Sequence, residues 1–261
     1  MDLELVSALL SQQAGVISRR QVLECGGADH DIERLLRRRE WARVHDGVYV
    51  EHTGPLTRSQ RHWAAVLLHW PAALAGRSAL EAHGLSPDPV PGAAVVELVV
   101  ARTRRVVDPP GVRTRQIGGF ATMTLMNLGP PPVRVEHAAL SAASAASSED
   151  RAVAVLADVV QQRRTTAARL ASHLEERPRL RRRRLLGQVL GDIAAGTNSA
   201  LERRYLIDVE QAHGLPTGLR QHRVVDGERT AYRDVYHVLF RAVLGRPTGE
   251  VPPHQVREDL A

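Results

Sequence analysis

The residues best suited to chemistry in this chain are arginines and histidines gathered near its N-terminus. Ile32, Leu35 and Leu36 recur at helical spacing and predict a helix that starts near Ala28 or Asp29 and runs to about Arg39. Arg34, Arg37 and Arg38 lie on its other side, and His30 stands near its start. A guanidinium is a permanent cation with donors in a rigid fork, which suits both phosphate oxygens and the paired acceptors of a guanine edge. If such a helix entered a major groove, its early residues His30, Arg34 and Asp31 would meet base edges. Arg37, Arg38 and Arg19 would then sit nearer phosphates, and Arg43 would reach the flanking backbone or the minor groove. A solvated helix face accounts for Arg37-Arg38-Arg39 as well, so the run alone decides nothing.

Several chemistries are excluded. All 35 residues in the combined Lys and Arg count are Arg, so no mechanism that needs a lysine operates here, whether a phosphate-loop lysine, a Schiff base or the lysine of a nuclease motif. Coding bias in a GC-rich genome explains the arginines better than selection for Arg chemistry does. Cys25 is the single cysteine, which rules out an internal disulfide and a cysteine-only metal cage. His62 and His69 fall seven apart on one predicted helix and His83 comes later, but no carboxylate or cysteine completes a metal-ligand spacing in sequence, and no metal site is assigned.

The elements that must position the N-terminal arginines are set by local signals. Leu3, Leu5, Val6, Leu9 and Leu10 predict a first helix, stopped by Gly15. Ser18 is a good N-cap for a second helix from Arg19 to about Glu24, which Gly26-Gly27 ends. After the third helix, residues 41–50 read as two short strands about an Asp46-Gly47 turn. Three short helices closed by a hairpin is the order of a winged helix-turn-helix.

Residues 15–50, GVISRRQVLECGGADHDIERLLRRREWARVHDGVYV, closely resemble the N-terminal winged-helix module of AbiEi-like antitoxins from type IV toxin–antitoxin systems. Gly15-Val-Ile-Ser18, the arginine-rich third helix, Trp41 and Asp46-Gly47-Val-Tyr49 carry the likeness, which covers about residues 3–50. It implies a DNA-binding module that represses its own or a neighbouring promoter, with a cognate toxin as a further partner. In that family the next region is a helper domain. Here residues 61–70 and 78–84 read as helices broken at Pro71, and residues 95–100 and 112–117 as a β-hairpin with a long basic loop. Residues 138–175 read as helices, and the dense basic run at 177–184 as a phosphate-tracking segment, a linker or a helix start.

From Gly196 the chain resembles the beginning of a very-short-patch-repair-like endonuclease domain, of the restriction-endonuclease-like fold. A helix from Asn198 onward precedes a strand, turn and strand over residues 220–236. The resemblance implies catalytic carboxylates at Glu202, in Ser199-Ala-Leu-Glu202, and at Asp234, in Tyr232-Arg-Asp-Val-Tyr236. Such a pair would help to hold Mg²⁺. The family's next strand carries a Glu and an Asp-Gly pair, whereas residues 238–247 read Val-Leu-Phe-Arg-Ala-Val-Leu-Gly-Arg-Pro. The expectation is therefore a truncated, inactive remnant with no cofactor. A frameshift after about Tyr236 is one explanation, and sequencing the locus tests it.

The expected architecture is α+β: a winged helix at residues 1–52, a mixed α/β helper domain at 53–185 and an incomplete endonuclease-like module at 186–261. A net charge of +6 favours a polyanionic partner. There is no long apolar run for a membrane span and no basic start of a signal peptide, so a cytoplasmic protein is expected. Two functions compete on the sequence alone, with a partner-binding protein whose basic helices meet an acidic toxin or nucleotidyltransferase as a third. One is a regulator that binds double-stranded DNA, and the other is a metal-dependent endonuclease that its winged helix targets to DNA. Oligomeric state and operator are not legible.

Overall fold

A computed structural model describes residues 1–85, 95–194, 219–226 and 229–236, the last two ranges as backbone alone. The fold is α+β. The chain divides into two compact units, Met1–Gly187 and Gln188–Ala261.

The first unit opens with α1 (Leu3–Gln12), β1 (Val16–Ser18), α2 (Arg19–Glu24), α3 (Asp29–Arg37), β2 (Ala42–His45) and β3 (Val48–Val50). Each boundary has a local cause. Asp2 caps α1 by accepting from the Glu4 and Leu5 N–H groups, and Gly15 turns the chain at φ 82°. Ser18 and Gln21 form a reciprocal capping box at the start of α2. The Asp31 carboxylate accepts from the Ala28 N–H at 3.1 Å, which covers one orphan donor at the start of α3. At the other end Arg39 takes a left-handed φ of 59° and lets the Glu40 N–H reach the Leu35 carbonyl.

The strands form an antiparallel sheet in the order β1-β3-β2. Because side chains alternate along a strand, this small sheet serves two cores. Ile17 and Tyr49 point to one cluster with Val6, Leu10, Val22, Cys25, Ile32 and Trp41, so α3 is seated through Ile32. Val16, Val48 and Val50 point to another, with Trp63, Ala64 and Leu67 of α4 (Arg58–Leu68). The back of the sheet is thus covered by α4.

After α4 come β4 (Ala73–Leu74), α5 (Gly76–Ala82), β5 (Val96–Ala101), β6 (Val112–Ile117) and the short α6 (Phe120–Met123). The sheet order is β4-β5-β6. The strand pair expected as a hairpin is not one. β5 and β6 are parallel, with Val96 opposite Val112 and Ala101 opposite Ile117. A return along β5 needs about 20 Å at roughly 3.3 Å per residue, and residues 102–111 supply the length without a helix. Asp108 pins that return, accepting from the Thr114 N–H and hydroxyl at 2.6 Å each and bonding His69 Nε2 at 3.0 Å. Helices α7 (Val135–Ala145), α8 (Glu149–Gln161) and α9 (Ala167–Glu175) come next, and α10 (Arg183–Ala194) crosses into the second unit. There β7 (Leu219–Asp226) and β8 (Arg229–Tyr236) form an antiparallel pair, as the strand–turn–strand reading expected.

Candidate nucleic-acid interface

Seated on Ile32, with Leu35 and Leu36 partly buried against the same core, α3 turns its opposite face outward. His30, Arg34 and Arg37 succeed each other at i, i+4 and i+7 on that face. The His30 side chain is 77% exposed and that of Arg34 42%, so both reach solvent from a helix whose backbone is fixed.

Two of the predicted arginines, Arg19 and Arg34, are already hydrogen-bonded within the protein. Arg19 forks onto Asp29, Nε to Oδ1 and Nη2 to Oδ2, both at 2.7 Å. This ties the first residue of α2 to the first residue of α3. The hydrogen bonds and charge of Asp29 raise the Arg19 pKa, and Arg19 in turn lowers that of Asp29. Arg34 donates to Asp31 at 2.9 Å, and Asp31 is held below its usual pKa chiefly by the Ala28 N–H. Arg38 lies 3.7 Å from Glu40, both exposed. Arg37 and Arg43 carry no ion pair among the described residues. Arg43 is exposed on β2, opposite Tyr49, where the strand bulges before His45. The structure therefore gathers His30, Arg34 and Arg37, joins Arg19 to their helix end, and sets Arg43 apart on the hairpin.

Charge is distributed in a way that the total conceals. Residues 1–52 hold seven Arg against nine Asp and Glu, while residues 53–185 hold nineteen against ten. The N-terminal elements are thus slightly acidic, and the positive field of the chain originates in the middle. Much of it is at the surface, with Arg113, Arg115, Arg179, Arg181, Arg183 and Arg184 exposed. Within the basic run, Arg182 instead donates to the Ala146 carbonyl and half-buried Arg177 to the Ser141 hydroxyl.

The middle histidines have specific partners that sequence spacing did not reveal. His62 Nε2 is 3.3 Å from Glu81, His69 Nε2 is 3.0 Å from Asp108, and His83 Nε2 is 2.8 Å from the Val133 carbonyl. Glu81 also lies near Arg58 and Arg77, and the His62 hydrogen bond is foremost in lowering its pKa. Among the described residues, no group of three or more His, Cys, Asp or Glu is arranged to hold a metal ion. Of the two carboxylates implied by the endonuclease likeness, Glu202 lies outside the described residues. Asp234 falls within β8, between Arg233 and Val235, which pair with His222 and Arg220.

No protein-family model matches the sequence, and no curated protein matches it either. Among solved structures the chain is similar to a mycobacterial protein. That structure is titled as the crystal structure of the RV2827C protein from Mycobacterium tuberculosis, at 17% identity and a TM-score of 0.44, covering 85% of this chain and 88% of the other. No helix of the described residues is long and apolar enough to cross a membrane.

Proposed function

We propose that this chain is a regulator that binds double-stranded DNA, with residues 1–52 acting as a winged helix-turn-helix and α3 as its recognition helix. The observation that carries the reading is the exposed His30, Arg34 and Arg37 row on a helix seated through Ile32 in a three-helix core. The order α1-β1-α2-α3-β2-β3, with β2 and β3 as the wing, supports it. His30 and Arg34 read base edges, Arg37 and Arg38 contact phosphates, and Arg43 reaches the backbone beside the wing. Arg19 acts by holding the start of α3 through Asp29 until a phosphate competes for it. The slight acidity of residues 1–52 means that the arginines of the middle region supply most of the long-range attraction to DNA.

The likeness to AbiEi-type antitoxins supports a finer reading, in which the chain works in the cytoplasm, represses its own promoter and pairs with a cognate toxin. Regulation of this kind calls for no cofactor. The alternative is a Mg²⁺-dependent endonuclease using Glu202 and Asp234, favoured only by the likeness of the region after Gly196.

A gel-shift experiment separates the two. The chain is mixed with DNA from upstream of its own gene, with Mg²⁺ present in a parallel lane. Promoter-preferring retardation with intact DNA supports the regulator. Cut DNA that Glu202→Ala leaves whole supports the endonuclease.

A further inference from the structure

Beside the β5–β6 pair lies a cavity of about 80 Å³, several times the space one water needs. Arg113, Arg115 and Ile117 reach it from alternate positions of β6, Gly76 borders it at the start of α5, and His137 and Ser141 enter from α7. Arg177, just beyond α9, also lines it.

The carboxylate in this cavity, Glu97, is already occupied. It accepts from the Arg77 N–H at 2.9 Å at the start of α5, and Arg113 lies 4.0 Å away. Arg115 and Arg177 form no ion pair among the described residues, and the hydrogen bond of Arg177 runs to the Ser141 hydroxyl at 3.3 Å. His137 is 6% exposed, and its Nδ1 is buried with no hydrogen-bond partner. Burial, then the charges of Arg177 and His173, hold that ring down to about 4, so it is neutral and has a polar atom to satisfy. Native interiors rarely leave such atoms orphaned, and a half-buried cation without counter-charge, as Arg177 is here, invites an anion.

We propose that this cavity binds a small oxyanion, a carboxylate or a phosphate group, clamped by Arg115 and Arg177 with the His137 ring at its wall. Two forked cations match two oxygens of such a group. Volume limits the ligand to a compact head. The inference does not depend on the DNA-binding reading, because every residue it uses lies outside the α3 face.

The test tracks the imidazole nitrogens of the full chain by NMR during titration with inorganic phosphate and, separately, with malonate, against sodium chloride at equal ionic strength. The expected result is a saturable shift of the His137 resonances with one anion or both, and a raised melting temperature. Affinity falls at least tenfold in Arg115→Gln and in Arg177→Gln and stays unchanged in Arg151→Gln, which alters an exposed arginine of α8 outside the cavity. Arg115 is exposed, so its variant remains informative even where Arg177→Gln perturbs folding. A shift no larger than that in sodium chloride, or one retained in Arg115→Gln, overturns the proposal. A short DNA duplex that moves His137 when phosphate and malonate do not also overturns it, and assigns the cavity to a backbone phosphate.

Discussion

Arg19 and Asp29 meet as a two-pronged ion pair between α2 and α3, with both N–O distances at 2.7 Å. The pair spans the turn between α2 and α3, and under the proposed DNA-binding function Arg19 would lie beside a phosphate. Both side chains are about half exposed, so the pair stabilises the fold little, and under the proposed function it would compete with DNA for Arg19. Asp29→Asn is expected to leave the unfolding midpoint nearly unchanged and to tighten binding to duplex DNA at low salt. Release of Arg19 onto a phosphate would steepen the slope of log affinity against log salt by about 0.9. Fluorescence anisotropy at several salt concentrations measures both.

The second prediction concerns the buried amides beneath α2. Gln21 Oε1 accepts from the Ser18 N–H and from Gln13 Nε2, while Gln21 Nε2 donates to Gln13 Oε1 at 2.7 Å. Gln13→Ala strips two of these bonds from a buried partner and is expected to cost about 1–3 kcal/mol. Ser18→Ala, which removes the N-cap hydroxyl, is expected to cost about 1 kcal/mol. Urea unfolding of each variant provides the check.

A third arises from the two-sided sheet. Since Trp63 of α4 packs on Val16, Val48 and Val50, residues 1–52 share a core with α4. Trp63→Ala is expected to destabilise the protein by about 3–5 kcal/mol. It should also weaken DNA binding near the melting temperature, although Trp63 is no part of the α3 face. An isolated fragment ending at residue 52 should be markedly less stable than the full chain.

The fourth concerns acid. His137 titrates near 4 in the fold against 6.5 for an ordinary histidine, pushed down first by burial and then by Arg177 and His173, with Glu176 and Glu136 opposing. The unfolded chain therefore takes up this proton first, so stability is fully present above pH 6.5 and falls as pH drops toward 4. One proton gives a slope of at most about 1.4 kcal/mol per pH unit, and solvent screening reduces it. Glu136 adds to the loss at lower pH: burial raises its pKa, but its backbone N–H, Thr165 and Arg169 together hold it below normal. In His137→Phe the slope between pH 6.5 and 4 should flatten, as read by urea midpoints across that range.

Local signals made the helices of the N-terminal unit legible. Ser18 and Gly26-Gly27 announced α2, the Ile32, Leu35 and Leu36 stripe announced α3, and Asp46-Gly47 announced the turn between β2 and β3. β1 escaped because three residues are too short for a period, and its pairing with β3 is a long-range event. The parallel pairing of β5 and β6 escaped for a related reason. Two short strands and a polar connection look alike in either direction, and Asp108 meeting His69 and Thr114 holds the parallel return. At the candidate interface the exposed arginines were legible as a row. The engagement of Arg34 by Asp31 was not, because a carboxylate one turn away reads equally as a helix-dipole partner, and that of Arg19 by Asp29 joins two separate helices. The cavity around His137 draws on α5, β5, β6, α7 and Arg177 beyond α9, and no local pattern links those positions.

The most direct measurement is the affinity of the full chain and of Arg34→Ala/Arg37→Ala for a duplex from upstream of its own gene, against a scrambled duplex, at two salt concentrations. DNA recognition through α3 predicts at least a tenfold loss of affinity in the double variant, together with loss of the preference for the native sequence and a shallower salt slope. Unchanged affinity and preference in a folded double variant would contradict it, and would move any DNA contact to the arginines of residues 53–185.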